Sequence, residues 1–172
     1  MAFTKFLTAT AAFALAASAL PTNTSPIAAR SSGSSSGGGG VNIVNNLGQT
    51  VYLWPTADGE MQTLSSGGDG YSQSWNGESV SIKLSTSESK DSVLQFEYSL
   101  KGEDIYWDLS SINLDSDSAF VKSGFGVTSS DSSCKSASCS AGDSNCADSY
   151  QHPDDTNTNS CSSDATFTFT LG

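Results

Sequence analysis

The chain has 172 residues, enough for one domain, and sets 18 acidic against 7 basic residues for a formal net charge of -11. That balance argues against a nucleic-acid partner, because phosphate contacts need Lys and Arg, and against attraction to anionic membrane surfaces. Without Lys5 and Arg30, which lie ahead of the folded part, the positive charges that remain are Lys83, Lys90, Lys101, Lys122 and Lys135.

The first element reads as a secretory signal over residues 1–19. Lys5 is its basic part, Phe6 to Ala17 its apolar run, and Ala17-Ser18-Ala19 its cleavage site, so the mature chain is expected to start at Leu20. The apolar run is shorter than the roughly 20 residues a spanning helix needs. The last residues, ending at Gly172, carry no hydrophobic tail for a lipid anchor, so no membrane anchor is expected. Residues 20–40 read as a disordered leader: Pro21 and Pro26 break structure, and Ser31 to Gly40 is a Ser/Gly linker. Asn23-Thr24-Ser25 is a glycosylation sequon inside it.

One domain is predicted over residues 41–172, all-β. Val41 to Val44 and Thr50 to Trp54 are β-branched and aromatic runs separated by the turn signal Asn45-Asn46-Leu47-Gly48. Val80, Ile82 and Leu84 alternate with polar residues; so do Leu94, Phe96, Tyr98 and Leu100, and later Phe167, Phe169 and Leu171. A period of two means one buried face and one wet face. Ile105 to Leu109 and Ala119 to Val127 are further strand candidates. Short strands between Gly, Ser, Asn and Asp clusters favour a two-sheet antiparallel β-sandwich. Trp54 and Trp107 are expected to be structural.

The cysteines are Cys134, Cys139, Cys146 and Cys161. An even count in a secreted chain predicts two disulfides, with three pairings open. A zinc site is not expected, since there is no C-x-x-C and His152 is the single histidine. Asp115-Ser116-Asp117 opens like a calcium loop, but Phe120 stands where that loop needs Gly. No metal and no cofactor is expected. Nor is a serine triad, since no G-x-S-x-G elbow is present.

Several motifs occur together in one order. Cys146-Ala147-Asp148-Ser149-Tyr150 through Pro153-Asp154-Asp155-Thr156 to Cys161 leads into Thr166-Phe167-Thr168-Phe169-Thr170. Upstream stand Val41-Asn42-Ile43-Val44-Asn45 with Thr50-Val51-Tyr52-Leu53-Trp54, then Trp75-Asn76-Gly77-Glu78, Phe96-Glu97-Tyr98-Ser99-Leu100 and Tyr106-Trp107-Asp108-Leu109-Ser110. This order resembles thaumatin-like proteins over most of residues 41–172. The chain is similar to a reduced fungal secreted type, the yeast-phase-specific or antigenic thaumatin-like proteins. The family's first cysteine is replaced near Leu47 and its last near Gly172.

The resemblance implies a nested pairing, Cys134–Cys161 and Cys139–Cys146. It also implies an acidic cleft. Glu97 matches the family's glutamate and Asp108 its first aspartate; Asn113 falls where the second aspartate would be, and Asp154 or Asp155 matches the third. The family's cleft arginine has no counterpart in residues 41–172, so the cleft is expected to lack its positive member. Strand parity puts Glu97 opposite the apolar face of Phe96 and Tyr98, and Asp108 opposite Trp107 and Leu109.

These residues lead to a secreted, monomeric, non-catalytic extracellular or cell-wall protein that binds a β-glucan-like polysaccharide. The carboxylates would accept sugar hydroxyls, with Tyr98 or Tyr106 offering a flat apolar face. Two alternatives stay open. One is a weak glycoside hydrolase, with Glu97 and Asp108 as catalytic pair if held about 5–9.5 Å apart. The other is a secreted antigen or effector that binds a host protein.

Overall fold

A computed structural model describes residues 38–172. The expected signal peptide, the expected mature start at Leu20, most of the expected leader and the Asn23 sequon lie outside the described residues. Eleven strands and one helix follow in order: β1 (Gly40–Asn45), β2 (Val51–Trp54), β3 (Gln62–Leu64), β4 (Tyr71–Ser74), β5 (Val80–Ser85), β6 (Leu94–Lys101), β7 (Asp104–Ser110), α1 (Ala119–Ser123), β8 (Phe125–Ser129), β9 (Ala137–Cys139), β10 (Asn159–Ser162) and β11 (Thr166–Leu171). They form a five-stranded sheet, β4-β1-β11-β8-β9, and a six-stranded sheet, β10-β7-β6-β5-β2-β3. The result is an all-β sandwich.

The period-two runs occupy the two inner faces. Val41 and Ile43 of β1 lie beside Phe167 and Phe169 of β11, and all four are buried. Ile82, Leu84, Leu94, Phe96, Ile105, Trp107 and Leu109 face them from the six-stranded sheet, fully buried. Trp107 stacks on Phe96 at 6.0 Å between ring centroids and meets Phe167 at 5.0 Å. Such pairs add about 0.5–1.5 kcal/mol each beyond the area they bury. One pair departs from the antiparallel rule: β1 and β11 run parallel, so the first and last strands of the domain close the sheet side by side.

Three local features differ from the sequence expectations. First, the chain enters the sheet before residue 41. Gly39 and Gly40 are buried, and a Cβ on either would collide with the carbonyl of Ala165 or of Gln73. The last glycines of the Ser/Gly run are therefore there for close backbone approach. Second, Ala119 to Val127 is not one strand. Ser118 caps a one-turn helix by accepting from the Val121 N–H at 3.2 Å, and Gly124, at φ 81°, ends it before β8. Third, β3, β4, β9 and β10 are three or four residues long, too short to show a period.

Trp54 also departs from a simple core role. It pairs with Lys83 across β2 and β5, on the outer side of the six-stranded sheet, and is buried there beneath Lys90, whose Nζ lies 5.3 Å from its ring centroid. Trp107 is in the core.

Disulfides join Cys134 to Cys161 and Cys139 to Cys146, with Cα–Cα distances of 5.5 and 5.4 Å. This is the nested pairing the resemblance implies. Cys139 sits on β9, an edge of one sheet, and Cys161 on β10, an edge of the other. The loops between them are rich in Ser, Asp and Asn and bury little, so the crosslinks hold what apolar burial cannot. Closing the longer loop stabilises by about 3–4 kcal/mol on the chain-entropy argument.

Candidate functional site: an acidic groove on the six-stranded sheet

The outer side of β5, β6 and β7 carries three polar rows set by register. Ser81, Glu97 and Asp108 form one row; Ser99 and Tyr106 form the next; Lys83, Gln95 and Ser110 form the third. Glu97 and Asp108 are thus direct cross-strand partners, a placement that puts Cβ atoms about 4.5–5.5 Å apart and costs stability for like charges. They line a groove of about 410 Å³ together with Ser99, Lys101, Tyr106 and Thr158.

The row beside the pair is polar and satisfied. Gln95 is buried; its Oε1 accepts from Lys83 Nζ and from Ser81 Oγ, and its Nε2 donates to Ser110 Oγ at 3.3 Å. This holds β5, β6 and β7 in register beside the groove. Asp108 is different. Burial first, and the charge of Glu97 second, push its carboxyl up to about 7. Below about pH 7 Asp108 therefore keeps its proton, and near neutrality it titrates.

Tyr106 is exposed at 39 %, and Lys101 Nζ lies 5.7 Å from its ring centroid. Its ring is the flat face the groove offers. Tyr98 is not a second one. It is buried against Trp75, with ring centroids 4.9 Å apart, and its hydroxyl accepts from Gln73 Nε2 and donates to Asn76 Oδ1. Burial of Tyr98 among the core aromatics is what its period-two placement after Phe96 dictates.

The other sequence candidates lie outside this groove. Asn113 is exposed on the loop after β7, where its carbonyl accepts from the Val93 N–H at 2.9 Å. Asp154 is exposed at the 152–155 turn. Asp155 is part of that turn's framework: its Oδ2 accepts from the backbone N–H groups of Gln151 and His152 at 2.7 and 2.8 Å. The His152 bond first, and the Gln151 bond second, hold its carboxyl below the usual range. It lines a separate cavity of about 380 Å³ with Gln151, His152 and Asn157. The structure therefore brings together Glu97, Asp108 and Tyr106, with Tyr98 also lining the groove while its ring is buried, and leaves Asn113, Asp154 and Asp155 elsewhere.

Ser99, Lys101 and Thr158 of the groove were missed in the sequence. Lys101 supplies a positive member where the resemblance implied none; it lies four residues after Glu97 on β6, hence on the same face, and strand parity was signal enough. Thr158 gave no signal, because it precedes β10 in an irregular segment; its hydroxyl bonds Tyr150 Oη at 2.7 Å. Asp131, Cys134 and Cys161 also cluster, but both sulfurs are spent in a disulfide and hold no metal. Among the described residues no helix is long and apolar enough to cross a membrane.

The Bys1 family, described as Blastomyces yeast-phase-specific protein, matches residues 28–172. The chain is 46% identical over 140 residues to the secreted thaumatin-like protein calA of Emericella nidulans, covering 78% of this chain and 81% of that protein. It is 34% identical over 130 residues to an antigenic thaumatin-like protein of Arthroderma benhamiae, covering 72% of this chain and 65% of that protein's length. The crystal structure of the protein elicitor MoHrip2 from Magnaporthe oryzae shares the fold, with a TM-score of 0.63 and 23% identity over 77% of this chain and 98% of that one. The chain belongs to the yeast-phase-specific family of fungal thaumatin-like proteins, and is a secreted member of reduced size.

Proposed function

We propose that this secreted protein is a non-catalytic binder of a β-glucan-like polysaccharide, and that the groove over β6 and β7 is its site. The observation that carries the reading is the pairing of two carboxyl groups with an exposed aromatic ring in one groove. Glu97 and Asp108 face each other across neighbouring strands, and Tyr106 stands one row away. Carboxyl oxygens accept sugar hydroxyls, and a flat ring covers the apolar side of a pyranose. Ser99 and Thr158 add hydroxyls that both donate and accept. Both carboxyls rise from the same sheet, so they line one wall of the groove instead of flanking a bond on its two sides.

One observation favours a second reading. A carboxyl held at about 7 beside another carboxyl is the division of roles that glycoside hydrolysis uses, with Asp108 as acid and Glu97 as nucleophile. The same experiment separates the two. The mature protein is incubated with insoluble β-glucan, and retention and released reducing sugar are measured. Retention without release is expected. Release that is lost in Glu97→Gln establishes the hydrolase instead. No retention and no release refutes both and leaves a surface that binds protein, in line with the relative named as antigenic.

A further inference from the structure

The groove sets two acids face to face with no cation opposite them. Glu97 and Asp108 are opposed across β6 and β7, and both are half-buried. What acts on Asp108 is burial and the Glu97 charge. The two cations nearest along the strands are engaged elsewhere. Lys83 Nζ donates to Gln95 Oε1. Lys101 lies over the Tyr106 ring, four residues along β6 from Glu97, or about 13 Å of strand. β5 places Ser81 opposite Glu97, and the segment before β10 contributes Thr158, so neither brings a positive charge to the pair.

We infer that the groove selects a sugar chain bearing an isolated protonated amine of the glucosamine type, its ammonium seated between Glu97 and Asp108 and a neighbouring ring laid on Tyr106. This rests on the groove being a polysaccharide site. The chemistry follows from what each ligand group supplies. A hydroxyl brings one donor and no charge, so burial and the Glu97 charge still disfavour ionised Asp108. An ammonium brings three donors and a positive charge. That charge draws the proton off Asp108, whose carboxyl burial and Glu97 otherwise hold up at about 7, and both carboxylates then accept from it. Charge-assisted bonds of this kind are about twice as strong as neutral ones. Two carboxylates are too few for calcium, which takes about 6–8 oxygen ligands. Lys101 fixes the other end. A second ammonium there would be repelled, so the units near Tyr106 are neutral. The fitting chain is therefore partly, not fully, deacetylated.

Three tetramers test this by calorimetry at low salt: a β-glucan tetramer, a fully N-acetylated glucosamine tetramer, and one with a single free amine. The amine tetramer is expected to bind about tenfold tighter than either neutral one. The advantage should shrink as salt rises, because the groove is open to screening. Glu97→Gln should abolish the advantage. Asp69→Asn, which removes the same charge from an exposed loop outside the groove, should leave it unchanged, separating the site from the protein's general acidity. Equal affinity for all three tetramers overturns the amine preference and leaves the polysaccharide reading standing. Loss of the advantage in Asp69→Asn as in Glu97→Gln also overturns it. If no tetramer binds, the polysaccharide reading itself falls. A lysine-bearing peptide that binds where no tetramer does assigns the acid pair to a protein partner.

Discussion

The outer faces of the two sheets arise from the same alternation and carry opposite things. On the five-stranded sheet, Ser72, Asn42, Thr168 and Thr128 form one row across β4, β1, β11 and β8, with Thr166 and Thr170 on either side of Thr168. All are uncharged, and Ser72 Oγ bonds Asn42 Oδ1 at 2.8 Å. On the six-stranded sheet the matching positions hold Lys83, Glu97, Lys101, Asp108 and the exposed ring of Tyr106. A hydroxyl row costs nothing to build on a wet face. Two opposed carboxyls do cost stability, and a cost kept on one face only points to use.

The largest effect should come from loosening the edge beside the charged face. Cys134→Ser with Cys161→Ser frees β10, and with it Thr158 at the groove. Urea denaturation should show a loss of about 2–5 kcal/mol. Glucan retention should fall with it; retention unchanged in the still-folded variant would detach the groove from that edge.

Next in size is the contrast between the faces in binding. Glu97→Gln should weaken polysaccharide affinity by about 1–3 kcal/mol, while Thr168→Ala on the neutral face should change it by less than about 0.5 kcal/mol. Equal losses would erase the distinction. Equal indifference would remove the groove as the site.

The smallest effect is a dependence on pH. Asp108 titrates near 7 in the folded protein and near 3.8 when exposed, so its contribution to stability is fully present below about pH 4 and is lost as pH rises through 7. Asp108→Asn should therefore be more stable than the parent at pH 8, by about 1–2 kcal/mol once solvent screening is discounted, and similar to it at pH 4. Thermal unfolding at the two pH values reads this directly. Thr128→Asn, on the other sheet, should show no such crossover.

Much of the sandwich was legible in the chain because alternation is local. Phe96 and Tyr98 inward requires Glu97 outward, and Trp107 and Leu109 inward requires Asp108 outward, whatever the neighbouring strands are. The same parity, applied to Lys101, exposes the groove's positive member. Short elements were not legible. A one-turn helix at Ala119–Ser123 and three-residue strands at Gln62–Leu64 and Ala137–Cys139 are shorter than the window in which a period can be recognised.

Sequence by itself determined which side of each long strand a residue faces and which residue types stand on the wet side, because a two-residue repeat needs only the chain's own geometry. Tertiary structure alone decided which wet residues meet. Register across β6 and β7 makes Glu97 and Asp108 partners, whereas the turn at 152–155 spends Asp155 on its own backbone and leaves Asp154 outside. It also decided that Gly39 and Gly40 belong to the fold, since the carbonyls they must approach lie on distant strands and loops. Contacts between remote segments depend on register and packing, and no local repeat encodes those.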